Sequence, residues 1–107
     1  MEPIPIFEKS VYLLGRDRDV CDIPLDHLSC STQHAVIVHR QVSRTDSVTG
    51  LKSFAVRPYL MDLESRNGTF LNDVRIDDSR YYELFEKDAI RFGASSREYI
   101  ILNEKSK

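Results

Sequence analysis

Apolar residues along the chain recur at every second position or gather in short β-branched and aromatic runs, and they seldom take the three- and four-residue spacing of a helix face. The pattern predicts strands. Val11-Tyr12-Leu13-Leu14 ends at Gly15, and Ala35-Val36-Ile37-Val38-His39 follows a polar stretch of serine, threonine and glutamine. Phe54-Ala55-Val56 and Tyr59-Leu60-Met61-Asp62-Leu63 flank Arg57-Pro58, where a proline without an N–H demands an edge, a bulge or a strand start. Thr69-Phe70-Leu71 is a little strand between Asn67-Gly68 and Asn72-Asp73, two turn pairs that tolerate positive φ. Ala89-Ile90-Arg91-Phe92-Gly93 and Glu98-Tyr99-Ile100-Ile101-Leu102 close the series, and only Arg80 to Glu86 could hold a helical turn.

Many short strands punctuated by turn residues predict an all-β sandwich or barrel, since a parallel α/β sheet would need crossover helices. At 107 residues the chain is expected to be one domain with a core over about residues 12–102. Ser43–Ser53, with Gly50 and several hydroxyls, reads as a long, mobile hairpin loop, and 103–107 as a frayed tail or the cut end of a longer chain. Fifteen Lys plus Arg against 17 Asp plus Glu give a net charge of −2, which argues against a bulk electrostatic grip on nucleic acid or an anionic membrane. Any anion must then be held locally. No apolar run approaches the ~18 residues of a membrane span, and no signal-peptide region opens the chain, so a soluble intracellular protein with reduced Cys21 and Cys30 is expected.

Polar residues where strands stop are the candidates for chemistry, and Arg16, Ser31, His34 and Asn67 stand out. A guanidinium fork matches a phosphate bidentately, a serine hydroxyl adds a neutral donor, and turn N–H groups add more. Each residue also has a plainer reading: a solvated charge for Arg16, a turn hydroxyl for Ser31, a hydrogen-bonded packing residue for His34, a turn former for Asn67. Two rivals use overlapping residues. Cys21, His27, Cys30 and His34 could make a zinc module, but the spacing C-x5-H-x2-C-x3-H lacks the usual paired knuckle. Ser31, His34 and Asp62 could be called a hydrolytic triad, but no G-x-S-x-G elbow accompanies them. The expectation is therefore no enzyme, no metal and no cofactor.

Order and spacing change the weighting. Gly15-Arg16, Asp22-Ile23-Pro24-Leu25, Ser31-Thr32-Gln33-His34-Ala35 and Asp62-Leu63-Glu64-Ser65-Arg66-Asn67-Gly68-Thr69-Phe70-Leu71-Asn72 follow one another as the blocks of the forkhead-associated (FHA) domain do, and the chain resembles that family from about Tyr12 to Leu102. The resemblance implies an FHA-type β-sandwich of about eleven strands whose loops at one end bind phosphothreonine in a protein partner, without catalysis. By position, Arg16 and Ser31 would contact the phosphate, with Thr32 beside them, Arg66 would border the peptide, and Asn67 would hold the peptide backbone. Thr32 and Arg66, at variable positions of their motifs, would help choose the flanking sequence. His34 would brace the loop that presents Ser31, and Gly15 and Gly68 would supply turn geometry. Two positions depart from the pattern: Thr32 stands where many members have Arg or Lys, and Lys87 where a glycine is frequent.

Asp22 to His27, Ser29-Cys30-Ser31, Arg80 to Leu84 and Phe92 to Tyr99 further resemble one subgroup, that of the Smad nuclear interacting protein, DAWDLE and the pre-mRNA retention and splicing complex. This implies a nuclear protein that partners splicing-complex subunits, with no membrane and no direct nucleic-acid binding by this domain. The alternative is the same fold used as a structural docking domain, through its sheet face or the Ser43–Ser53 loop, with weak or no dependence on phosphate.

Overall fold

In strand β2 (Val11–Gly15) Tyr12 and Leu14 are buried while Val11 is exposed, the alternation of a strand with one face on a core. Nine other strands occur in the computed structural model, which describes residues 2–4 and 6–102: β1 (Glu2–Pro3), β3 (Ile23–Pro24), β4 (Ala35–Thr45), β5 (Lys52–Asp62), β6 (Thr69–Leu71), β7 (Val74–Arg75), β8 (Tyr82–Glu83), β9 (Ala89–Phe92) and β10 (Glu98–Ile100). They form two five-stranded sheets, β1-β10-β9-β6-β7 and β3-β2-β4-β5-β8, with parallel pairing only for β1 on β10 and β3 on β2. The architecture is the all-β sandwich expected. Tyr12, Leu14, Ala35, Ile37 and Leu60 from one sheet meet Ile90, Phe92 and Tyr99 from the other. No helix among the described residues is long and apolar enough to cross a membrane.

Several elements differ from the sequence reading. Ser43–Ser53 is not a long loop: the β4–β5 ladder runs unbroken from Ala35↔Asp62 to Thr45↔Lys52, leaving a short turn at residues 46–51. Backbone pairing needs no apolar side chains, and the turn is closed by Asp46 Oδ1, which accepts the N–H groups of Val48 and Thr49, and by Gly50 at φ 73°. Phe54–Val56 and Tyr59–Asp62 are likewise one strand. Pro58 interrupts nothing, because its nitrogen faces away from β4 and only its carbonyl is used there, accepting from Leu84 N at 2.9 Å.

Arg80 to Glu86 forms no helical turn; Tyr82–Glu83 pairs with Tyr59 and Leu60, an open edge that outcompetes local coiling. Ile4 and Ile6, upstream of the expected core, are buried at 3% and 0% exposure, drawn in as β1 docks beside β10. The β6–β7 turn is as read, with Asn72 at φ 51° and Asp73 at 67°. The expected tail, 103–107, lies outside the described residues.

Candidate functional site

At one end of the sandwich β2 stops at Gly15, and Arg16 is the first residue past the ladder. Its backbone N–H donates to Ser31 O and its Nε to Cys30 O, each at 3.0 Å. These bonds hold the exposed guanidinium by one edge, and its terminal nitrogens donate to no other described residue. Gly15 serves closeness, not a turn: its φ is not left-handed, and a Cβ would lie 2.2 Å from Thr32 O and 2.8 Å from Cys21 Sγ. That corrects the turn role read for Gly15.

His34, just before β4, is fully buried. Its Nδ1 accepts the Ser31 N–H at 3.0 Å, which leaves Nε2 as the protonated nitrogen, donating to Gly68 O at 2.8 Å. One neutral ring thus fastens the Ser31 loop to the Gly68 turn. Burial pushes its pKa below the ordinary histidine value, against smaller opposing pulls from the Gly68 carbonyl and the Asp62 carboxylate. The Ser31 hydroxyl accepts the Arg66 N–H at 3.1 Å, so its own proton remains available to an anion.

Asn67 was read as a positive-φ turn former, but the left-handed residue is its neighbour Gly68, at φ 88° and buried. The Asn67 Nδ2 instead donates to Ser29 O at 2.7 Å. Carbonyls of Ser29, Cys30 and Ser31 therefore receive, in succession, the Asn67 amide, the Arg16 guanidinium and the Arg16 backbone. Thr32 and Arg66 flank this set with exposed side chains. All five residues read as ligand contacts lie at the same end, linked through 29–32.

Four supports were not singled out as site residues. Asp62, nearly buried, accepts from Ser65 Oγ and Thr69 Oγ1 at 2.6 Å each and from Ser65 N at 2.9 Å, and Ser65 Oγ in turn accepts Gly68 N–H at 3.0 Å. The signal was present, since Asp followed three residues later by Ser is the spacing of a side-chain-closed turn. Ser29 is the fourth. Its hydroxyl accepts Ala94 N–H at 2.8 Å and meets His27 Nδ1 at 2.6 Å, tying the loop to the β9–β10 turn. No spacing rule points to it.

The same geometry dissolves both rivals. Cys21 donates to Thr32 O, Cys30 to Phe92 O, and both His34 nitrogens are engaged; the described residues bring no three metal-ligating side chains together. Burial pushes both thiols above their ordinary pKa. In the triad arrangement the imidazole would bond the serine hydroxyl, whereas here it accepts the Ser31 backbone N–H and lies 4.0 Å from Asp62 Oδ1.

The model of the FHA domain family matches residues 12–93. Among curated relatives, "FHA domain-containing protein DDL" of Arabidopsis thaliana is 51% identical over 98% of this chain and 33% of its own length. "Smad nuclear-interacting protein 1" of Mus musculus is 55% identical over 94% of this chain and 26% of its own length. The chain thus spans about a third or a quarter of these relatives. Among solved structures, full-length yeast Pml1p superposes with a TM-score of 0.64 at 37% identity, covering 80% of this chain and 56% of that one. The MEK1 FHA domain in complex with the HOP1 pThr318 peptide gives 0.65 at 27% identity, covering 94% and 88%.

Proposed function

The chain belongs to the FHA domain family, and from that membership we propose that it binds phosphothreonine in a protein partner, within a nuclear pre-mRNA splicing or retention factor. The observation that carries this reading is the fastening of Asn67 and Arg16 to the successive carbonyls of Ser29, Cys30 and Ser31, which leaves the terminal guanidinium nitrogens of Arg16 and the hydroxyl proton of Ser31 uncommitted among the described residues. Arg16 and Ser31 take the phosphate, and Thr32 borders it. Asn67 holds the peptide backbone through the amide groups that Ser29 leaves unused, and Arg66 reads a flanking residue. His34, Gly15 and Gly68 keep the loops in register.

Family membership supports reading the module as one of recognition. Support for the nuclear and splicing assignment comes from the names of the relatives, one a nuclear-interacting protein, and from yeast Pml1, described as a splicing factor in the RES complex.

Isothermal calorimetry with phosphothreonine, phosphoserine and unmodified versions of a degenerate peptide pool tests the reading. Arg16→Ala should lower phosphopeptide affinity ~30-fold to ~1000-fold, the cost of a charge-assisted bidentate contact, while the fold persists. Equal binding of modified and unmodified pools would overturn it.

A further inference from the structure

The β4–β5 ribbon runs beyond both of its neighbours. β2 pairs with β4 only as far as Val38, and β8 pairs with β5 only at Tyr59 and Leu60, followed by the single bond from Leu84 N to Pro58 O. Past those points the β5 edge is unpaired among the described residues, and the β4 edge keeps one further bond, from His39 N to Ser10 O at 2.8 Å. Successive residues of a strand direct their backbone groups to opposite sides, and the Pro58 bond fixes which side each takes. Val56, Phe54 and Lys52 aim their N–H and C=O groups away from β4, and these groups bond to no other described residue. Such a row is a template for another strand.

Side chains make the two edges unequal. On β5 the outward-bonding residues include Val56 at 64% exposure and Phe54 at 66%, whereas their cross-strand partners on β4 are Gln41 and Ser43. The ribbon is also basic. Between residues 40 and 57 it carries Arg40, Arg44, Lys52 and Arg57 against Asp46, in a chain of net charge −2, and among the described residues Glu83 is the one carboxylate that meets Arg44 and Arg57, at 3.1 and 3.2 Å.

We propose that the β5 edge from Lys52 to Val56 is a docking site for an extended acidic segment of a partner protein, which adds a strand along the line where β8 stops. The segment carries apolar side chains at alternate positions against Val56 and Phe54 and carboxylates at the positions between, facing the arginines. A second copy of this chain is the poorer occupant, because it would bring a second set of the same cations alongside the first. The edge spans about 16 Å at ~3.3 Å per residue, enough for a short linear motif. It is remote in the chain from the phosphate loops and independent of the reading given for them.

The test uses an unphosphorylated ten-residue peptide of alternating valine and glutamate as probe, beside an alternating valine–lysine peptide and a valine–glutamate peptide of the same composition in two blocks. Binding of the alternating acidic probe should exceed both controls about 10-fold, a difference of ~1.4 kcal/mol. In the bound state, hydrogen exchange at the Phe54 and Val56 amides should slow, while the Ala55 and Arg57 amides, directed to β4, are protected with or without probe. Val56→Pro removes one outward N–H without touching the β4–β5 ladder and should abolish the gain, and Phe54→Glu should do the same by charge and lost apolar contact. Arg16→Ala should leave probe binding unchanged, which separates this site from the phosphate site. The proposal is overturned if the acidic probe binds no better than the controls, if binding survives both ribbon variants, if exchange slows elsewhere, or if sedimentation shows the edge already occupied by self-association.

Discussion

Replacing His34 by alanine tests whether the site is held together from beneath. The imidazole is fully buried and bonds Ser31 N at 3.0 Å and Gly68 O at 2.8 Å, and its ring meets Phe92 edge-on at 5.5 Å between centroids. Alanine leaves both backbone groups without partners, at ~1–3 kcal/mol each. Loss of the ring contact and the space left behind add roughly 1 kcal/mol or more, for a total of about 3–7 kcal/mol. Against a stability of roughly 5–15 kcal/mol that is a large fraction. Urea unfolding followed by circular dichroism should show a lower midpoint at constant slope, and phosphopeptide affinity should fall as well, because Ser31 and Gly68 lose their common anchor.

The pH dependence supplies a second readout. The folded pKa lies below the unfolded one, so the unfolded chain binds more protons as pH falls below ~6.5. The stability associated with neutral His34 is therefore complete above that pH and is lost below it. His34→Gln, which can still accept and donate, should unfold with a shallower pH dependence as pH falls below about 6.5. A loss under ~1 kcal/mol for the alanine variant, or identical pH profiles for wild type and His34→Gln, would refute the bracing role.

Four other outcomes are expected. Asn67→Gly should leave the fold intact, since positive φ resides at Gly68, and should weaken phosphopeptides by about 1–3 kcal/mol in calorimetry. Lys87→Gly should stabilise the domain by about 1 kcal/mol in thermal or urea unfolding, because Lys87 sits at φ 73°, where an L side chain is strained. Gly15→Ala should destabilise by ~1–3 kcal/mol or more, and weaken phosphopeptides too, since its Cβ meets the Thr32 carbonyl beside Ser31. Melting temperature should not move with chelator or reductant, as the described cysteines are free and no metal-ligating cluster accompanies them; a shift of several degrees would revive a cross-link.

Strands with an apolar face were legible in the sequence because burial writes itself as alternation: β2, β6, β9 and the first half of β4 all read correctly. What stayed hidden was pairing without burial. The outer ribbon from Arg40 to Val56 carries polar residues on a ladder stabilised by backbone bonds, and two-residue strands such as Tyr82–Glu83 exist only because an edge lies beside them. The residues gathered at one end of the sandwich were legible through their spacing, but the bonds each of them makes were not. Asn67 and Gly15 were both given turn duties that the backbone assigns to Gly68 and to close packing, since φ and interatomic distance leave no trace in residue order. Lys87 is the converse case, a departure visible in sequence whose strained backbone only the structure shows.

The three carbonyls of Ser29, Cys30 and Ser31 also bear on time. They orient Arg16 and Asn67 within the protein itself, so a ligand need not stop the motion of those side chains in order to be held by them. Association should then proceed in a single concentration-dependent phase with no slow isomerisation, and its rate should drop as salt screens the attraction between arginine and a doubly charged phosphate. Ligands that differ in the residues flanking the phosphothreonine would be captured at similar speed and told apart by how long they stay. On the proposed reading, a module of this kind would select by residence, releasing poor matches quickly enough to sample many phosphorylated chains in turn.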